Sequence, residues 1–364
     1  MRKAQCVFMN IHTLNRKKNI LFRKWKRNLA RFIFDRKNKH VFSSKELPHI
    51  KKVLFLRHDN KLGDMTVSTL AFRELKKRLP QAEISVIAGN SSLHLIKNNP
   101  HISKIFIYKK NLFDIFKLGR TLAQEHFDLY IDMDKEVTPG SILLLSLIKP
   151  RFAFGFNRGK YAMYNVTETI DFPKLHITDW YKKMFERLGL LAEGESFDSS
   201  YELFVPTEAS LAARNFLDTL PKAERNIIFN PFAASRHRCF SFEQAQLAAE
   251  KFPQDNIILI GPKKELEAFG QGKTFPKNLF KAAGRLYDSF GIWASVALLE
   301  RADLLISPDT YIVHVASALK KSVFSVFTVD QKQNWAPSKK NISLDLDEGQ
   351  DFNNEDIRPL LEQI

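Results

Sequence analysis

The sequence predicts an α/β protein made of two doubly wound, Rossmann-like units facing a cleft, with a basic amphipathic helix ahead of them. Three observations carry that expectation. Short, near-continuous apolar runs alternate with helical stretches, as parallel strands do when helices cover both faces of their sheet. The alternation becomes irregular from about Pro150 to Phe204 and then restarts. The chain has 364 residues, 44% of them hydrophobic, enough for two separate cores. Disordered, collagenous and low-complexity classes are excluded by the same composition.

The first 50 residues form an arm of their own character. They hold 14 Lys and Arg against Asp35 and Glu46, so +12 of the formal +16 sits there and the body is nearly neutral. Between Arg16 and Phe34 the spacing is helical. At 100° per residue Leu21, Phe22, Trp25, Leu29, Phe32 and Ile33 share one face, and Arg23, Lys24, Lys26, Arg27 and Arg31 share the other. Such a helix lies in an anionic membrane interface. The alternative is a surface helix docked on the body through its aromatic side. Nucleic acid is not expected as a partner, because the aromatics segregate from the charges.

Residues 51–200 are expected to form the first unit. Its strands are Lys52–Arg57, Glu83–Ala88, Lys104–Tyr108 and Asp128–Asp132, with helices from Asp64 to about Leu79 and over Leu112–Gln124. A helix over Asp179–Leu188 ends in Gly189, and Ala192–Ser200 reads as a linker. Residues 201–340 are expected to form the second unit. Helices Glu208–Leu220, Ser241–Lys251, Trp293–Arg301 and Thr310–Leu319 alternate there with strands Asn226–Asn230, Asn256–Ile260, Asp303–Ile306 and Ser322–Phe327. Residues 341–364 are left as a C-terminal tail or helix. No run of about 18 apolar residues occurs, so no bilayer-spanning helix is expected. Two cysteines, Cys6 and Cys239, exclude a disulfide scaffold and suit a reducing compartment. The basic N-terminus lacks the apolar core and cleavage site of a secretory signal.

Open parallel sheets bind ligands beyond the carboxyl ends of their strands, so the chemistry is sought there. No G-x-G-x-x-G follows the first strand, and Gly272-Lys273-Thr274 fails as a P-loop because Glu267 stands at the required first glycine. Asp132 and Asp134 end a strand and offer oxygen ligands for a divalent ion, or simply cap the next turn. Arg57 to Thr69 runs strand, turn, helix. Asp64 there is either a helix N-cap or a carboxylate able to deprotonate a hydroxyl. After another strand, Ser235, Arg236 and Arg238 supply a hydroxyl and forked cations suited to a diphosphate, or form a solvated basic loop. Ile306 to Ser317 again runs strand, turn, helix, with Asp309 and Thr310 at an anion-favouring helix start and His314 one turn on.

Together these segments resemble glycosyltransferase family 9, the bacterial heptosyltransferases of lipopolysaccharide core assembly. The matching stretches are Leu54-Phe-Leu-Arg-x₃-Lys61-Leu-Gly-Asp-Met-x-Val-Ser-Thr, Asn230-Pro-Phe-Ala-Ala-Ser-x-x-Arg238, and Ser307-Pro-Asp-Thr-x-x-x-His314-Val-Ala-Ser-Ala-Leu. His176-Ile-Thr-Asp-Trp-Tyr is similar to the family's mid-chain His helix, and the resemblance runs from about Lys52 to Thr328. It implies a GT-B fold and inverting, metal-independent transfer, without cofactor, from ADP-L-glycero-β-D-manno-heptose to a lipid-anchored core oligosaccharide at the cytoplasmic membrane face. It implies Asp64 as general base, with Lys61, Gly63 and His176 on the acceptor side. Ser235, Arg238, Glu265, Asp309, Thr310 and His314 fall on the donor side, and Arg236 lies beside them. Tyr311 departs from the family's usual Gly, which leaves a different nucleotide sugar as the alternative donor. A sugar- or membrane-binding relative without turnover is the rival from outside the enzymes.

Overall fold

The computed structural model describes residues 21–282, 285–336, 341–346, 352 and 355–363. A helix, α1, runs over 21–34; the expected helical residues Arg16–Ile20 lie outside the described ones. The first unit then alternates β1 (Lys52–Arg57), α2 (Leu62–Arg78), β2 (Glu83–Gly89), α3 (Leu93–Ile96), β3 (Lys104–Tyr108) and α4 (Leu112–Ala123). It continues with β4 (Leu129–Asp132), α5 (Pro139–Ile148), β5 (Phe152–Phe156), β6 (Val166–Glu168) and α6 (Ile177–Arg187). Its strands pair in parallel in the order β3-β2-β1-β4-β5-β6. Alternation along β1 explains the two cores. Val53 and Phe55 enter one apolar layer and Leu54 and Leu56 the layer on the other face.

The second unit repeats the plan. α7 (Thr207–Leu217), β7 (Asn226–Phe229), α8 (Phe242–Lys251), β8 (Asn256–Leu259), α9 (Lys263–Ala268), β9 (Leu279–Lys281), α10 (Arg285–Phe290) and α11 (Ile292–Glu300) come first. β10 (Leu304–Pro308), α12 (Tyr311–Ala318), β11 (Ser322–Thr328), α13 (Val329–Trp335), β12 (Asn341–Leu346) and α14 (Arg358–Leu361) follow. The strand order is β12-β11-β10-β7-β8-β9, also parallel. In both sheets the order therefore reverses direction beside the first strand. β1/β4 and β7/β10 are the two topological switch points, where open α/β sheets bind ligands.

Helix starts follow local chemistry. Ser141 and Thr138 form a reciprocal capping box at α5, as do Gln244 and Ser241 at α8. Two expectations need correction. The stretch from Pro150 onward is not irregular, because β5 and β6 complete the first sheet across it. β5 (Phe-Ala-Phe-Gly-Phe) is buried on both faces and so shows no alternation, while β6 is only three residues long. Residues 341–364 are not an appended tail either. Asn341–Leu346 is the edge strand of the second sheet, and Phe352, Ile357 and Leu361 are buried in its core. Ala192–Ser200 holds no regular element, but α2 pins it: Arg73 donates to the Ser200 and Asp198 carbonyls, and Arg78 pairs with Glu195 at 2.7 Å.

Candidate active site

A cavity of about 950 Å³ opens between the carboxyl edges of the two sheets. From the first unit it is lined by the loop after β1 and the first turn of α2, including Lys61, Gly63 and Asp64, and by Lys135 after β4. The second unit lines it with Asn230 after β7 and with Asp309, Thr310, Tyr311 and His314 after β10. The cavity thus joins both switch points.

Asp64 is buried, and it is not the N-cap. α2 begins at Leu62 with Lys61 as a cap that makes no side-chain bond, so Asp64 stands at the third helical position. Its carboxylate meets Arg57 Nη2 at 2.8 Å and Lys61 Nζ at 3.5 Å. Arg57 is itself buried at the end of β1. It donates to the Met133 carbonyl at 2.9 Å across the β1/β4 switch point, and lies 3.9 Å from both Asp59 and Asp134. Burial alone would depress its pKa, but Asp64 and the other carboxylates outweigh that and raise it. Burial also pushes the Asp59 carboxyl up to about 6, against the opposing pull of Arg57.

Asp132 and Asp134 are already engaged. Asp132 Oδ2 accepts from Tyr164 Oη at 2.6 Å and from Arg158 at 3.2 and 3.3 Å. Asp134 Oδ2 lies 2.5 Å from His58 Nδ1, which raises the imidazole's pKa despite its burial. These buried, paired carboxylates brace the switch point.

The donor-side loops are built differently. Asn230 Nδ2 donates to Ser307 Oγ at 3.0 Å and Thr310 Oγ1 at 3.2 Å, tying the loop after β7 to the loop after β10. Thr310 is the N-cap of α12 without a side-chain capping bond, which leaves early helix N–H groups at the cavity wall. Arg238 Nη1 reaches Asp309 at 3.2 Å, and burial raises the Asp309 carboxyl while Arg238 opposes the rise. Tyr287 Oη bonds Ser295 Oγ at 2.7 Å and accepts from the Gly261 amide at 3.2 Å; with Tyr311 they wall the far end of the cavity.

His314 joins the two units. Its ring lies against Gly63, where an added Cβ would stand 2.8 Å from His314 Cδ2, so glycine is what lets α12 approach α2. Tyr201 and Trp335 pack on the same ring. Burial pulls the imidazole down to about 4, with Asp64 opposing. His314 is therefore neutral near pH 7 and brings hydrogen bonding, not charge.

Five expected residues do not line the cavity. His176 caps α6 and its Nε2 meets the Ala336 carbonyl at 3.0 Å, so it ties the first unit to the end of α13. Glu265 is exposed on the first turn of α9. Ser235, Arg236 and Arg238 flank the wall: Ser235 gives its carbonyl to the Arg238 amide, and Arg238 reaches the wall through Asp309. Sequence reasoning had assigned no role to Arg57, Asn230 or Lys135, whose Nζ stands over the Trp180 and Trp335 rings at 4.9 and 5.6 Å. Arg57 and Asn230 stand within the recognised stretches, and Lys135 directly follows a strand-end carboxylate; Tyr287 and Ser295 carried no sequence signal.

The family model for glycosyltransferase family 9 (heptosyltransferase) matches residues 115–360. The chain belongs to that family. This glycosyltransferase is 26% identical over 328 residues to the putative lipopolysaccharide heptosyltransferase 4 of Escherichia coli K12, across 88% of this chain and 85% of the relative. Among solved structures it is similar to E. coli ADP-heptose lps heptosyltransferase II, with a TM-score of 0.69, 19% identity and coverage of 86% of this chain and 97% of that one. A family 9 glycosyltransferase from Veillonella parvula matches at a TM-score of 0.69 and 18% identity, covering 81% and 86%. The expected GT-B fold is the observed one.

Proposed function

We propose that this enzyme transfers heptose from ADP-L-glycero-β-D-manno-heptose, with inversion and without a metal ion, to a sugar hydroxyl of a lipopolysaccharide core acceptor. The observation that carries the reading is Asp64, a carboxylate held at 2.8 Å by Arg57 in the wall of the cavity whose other side presents Asp309, Thr310 and the start of α12. An acceptor hydroxyl attacks the anomeric carbon and its proton passes to Asp64. The bond from that carbon to the diphosphate oxygen breaks, and ADP leaves with the electron pair. Arg238 and the first N–H groups of α12 stabilise the growing diphosphate charge. Neutral His314 assists as a hydrogen-bonding ring only, so the cationic share falls to side chains such as Arg238 and the cavity-lining Lys263.

Support for metal independence comes from Asp132 and Asp134, whose oxygens are taken by Arg158, Tyr164 and His58. The relatives' printed names point to the same donor and acceptor classes. A second donor remains in play because Tyr311 stands where the family usually has Gly and walls the donor end of the cavity. We further propose that the protein works as a peripheral enzyme at the cytoplasmic membrane face, its basic arm meeting the surface that carries the acceptor. No described helix is long and apolar enough to cross a membrane. The deciding experiment offers a panel of nucleotide sugars and a truncated core acceptor, with and without EDTA, and reads products by mass spectrometry. Heptose transfer unaffected by EDTA is expected. Transfer only from another donor, or activity lost to EDTA and restored by Mg²⁺, overturns the corresponding part.

A further inference from the structure

α1 does not bury its aromatic face. Leu21, Phe22, Trp25, Leu29, Phe32 and Ile33 are exposed, while Ala30 is buried and Phe34 half-buried against the body. The helix is nonetheless fastened. Asp35 accepts the amides of Ala162 and Met163 at 3.1 and 2.9 Å, and Arg31 stands over the Tyr161 ring.

A second apolar patch lies on α4. Phe113 is 77% exposed, Leu112 70% and Phe116 44%. Spaced i, i+1 and i+4, they form one surface on the first turns of that helix. Its opposite side is ordinary core: Ile115 and Leu122 are buried, and Gly119 lets the helix lie close on Leu147 of α5. Exposed cations surround the patch, namely Lys109, Lys110, Lys117 and Arg120, the last with its guanidinium over the Phe116 ring at 5.7 Å. Ala30 and Phe34 of α1 and Ile115, Leu118 and Leu122 of α4 rest on the same apolar layer, so both patches belong to one side of the first unit. Because α4 follows β3 in a parallel sheet, its first turn also lies at the carboxyl edge that bears Asp64.

We infer that the Leu112, Phe113 and Phe116 patch of α4 is a second point of contact with an anionic lipid bilayer. With α1, it sets the carboxyl edge of the first sheet against the membrane. The inference rests on the reading that the acceptor is lipid-borne. An anionic lipid surface is the occupant that the chemistry selects, since it takes large apolar side chains at acyl depth and Lys and Arg at headgroup depth together. Two separate contacts define an orientation, where one helix defines only attachment.

The test uses the full chain with phosphatidylcholine vesicles, with and without phosphatidylglycerol, read by co-sedimentation. Leu112→Ser with Phe113→Ser and Phe116→Ser should lower partition into the anionic vesicles about tenfold or more, as should Trp25→Ser with Phe32→Ser on α1. Transfer to a soluble, delipidated acceptor should be unchanged in both. Lys109→Glu with Lys110→Glu, which keeps the apolar residues, should weaken binding to the anionic vesicles alone and serves if the serine variant fails to fold. If only the α1 variant loses binding, the α4 contact is wrong and the arm reading stands. Wild-type chain that ignores anionic vesicles sinks both. A dimer that the α4 variant dissociates would make the patch an interface between copies and overturn the inference.

Discussion

The two switch points share a strand order and differ in chemistry. At β1/β4 the site is ionic: Arg57 is buried among Asp59, Asp64 and Asp134, and Arg158 and His58 neutralise the strand-end carboxylates. At β7/β10 the framework is mostly neutral, with Asn230 bonded to Ser307 and Thr310, Tyr287 bonded to Ser295 nearby, and Arg238 paired with Asp309. The difference follows from what each half is proposed to handle. A neutral hydroxyl brings no charge, so the protein must build and orient the carboxylate that takes its proton. A diphosphate brings its own charge and needs donors and a cation around it.

The comparison breaks most sharply at Asp64. Asp64→Asn keeps the shape and removes the proton acceptor, and kcat should fall about 10²–10⁴-fold while ADP affinity, measured calorimetrically, holds. Retention of most of the wild-type rate would strip the ionic half of its catalytic purpose.

Arg57→Met comes next. It leaves Asp64, Asp59 and Asp134 around a buried apolar chain, and loss of one partner from such a cluster costs about 3–5 kcal/mol. Urea unfolding measures it. A loss below about 1 kcal/mol would mean the cation is ordinary surface pairing and not the keystone of the ionic half.

On the neutral half, Arg238→Ala should weaken ADP binding by about 1.5–3 kcal/mol, the worth of a hydrogen bond to a charged group. Unchanged affinity would remove Arg238 from the donor site.

The smallest effect concerns pH. Asp59 titrates at about 6 in the folded chain, and at about 3.9 when unfolded. A raised carboxyl contributes stability that is present below its unfolded pKa and lost as pH rises through the folded one. Asp59→Asn should therefore be more stable than wild type at about pH 8 and gain little near pH 4. The full two-unit shift is worth about 3 kcal/mol, and partial exposure of the side chain reduces the expected gain to about 1–2. A variant equally shifted at both pH values would show that Asp59 does not titrate in that window.

Much of this protein could be read from its chain because the signals were local. β1 to β4, β7, β8, β10 and β11 announce themselves as apolar runs between helix-forming stretches, and parallel topology makes every strand end a candidate site. Asp64, Asp309 and Thr310 were legible for that reason. β5, β6, β9 and β12 were not, since a fully buried five-residue run, two three-residue strands and a short edge strand carry too little periodicity.

What the sequence determined by itself is therefore the order of the elements, the two units and the residues placed at their carboxyl edges, all set by spacing along the chain. Only the tertiary structure decided what those residues do to one another. It turned Asp132 and Asp134 from open ligands into partners of Arg158, Tyr164 and His58, because those groups come from separate segments. It made His314 a neutral ring by enclosing it among Gly63, Tyr201 and Trp335. It took His176 out of the cavity wall, and it left the aromatic face of α1 uncovered. Burial and long-range proximity set charge state, partner and exposure, and neither is a property of a residue's neighbours in sequence.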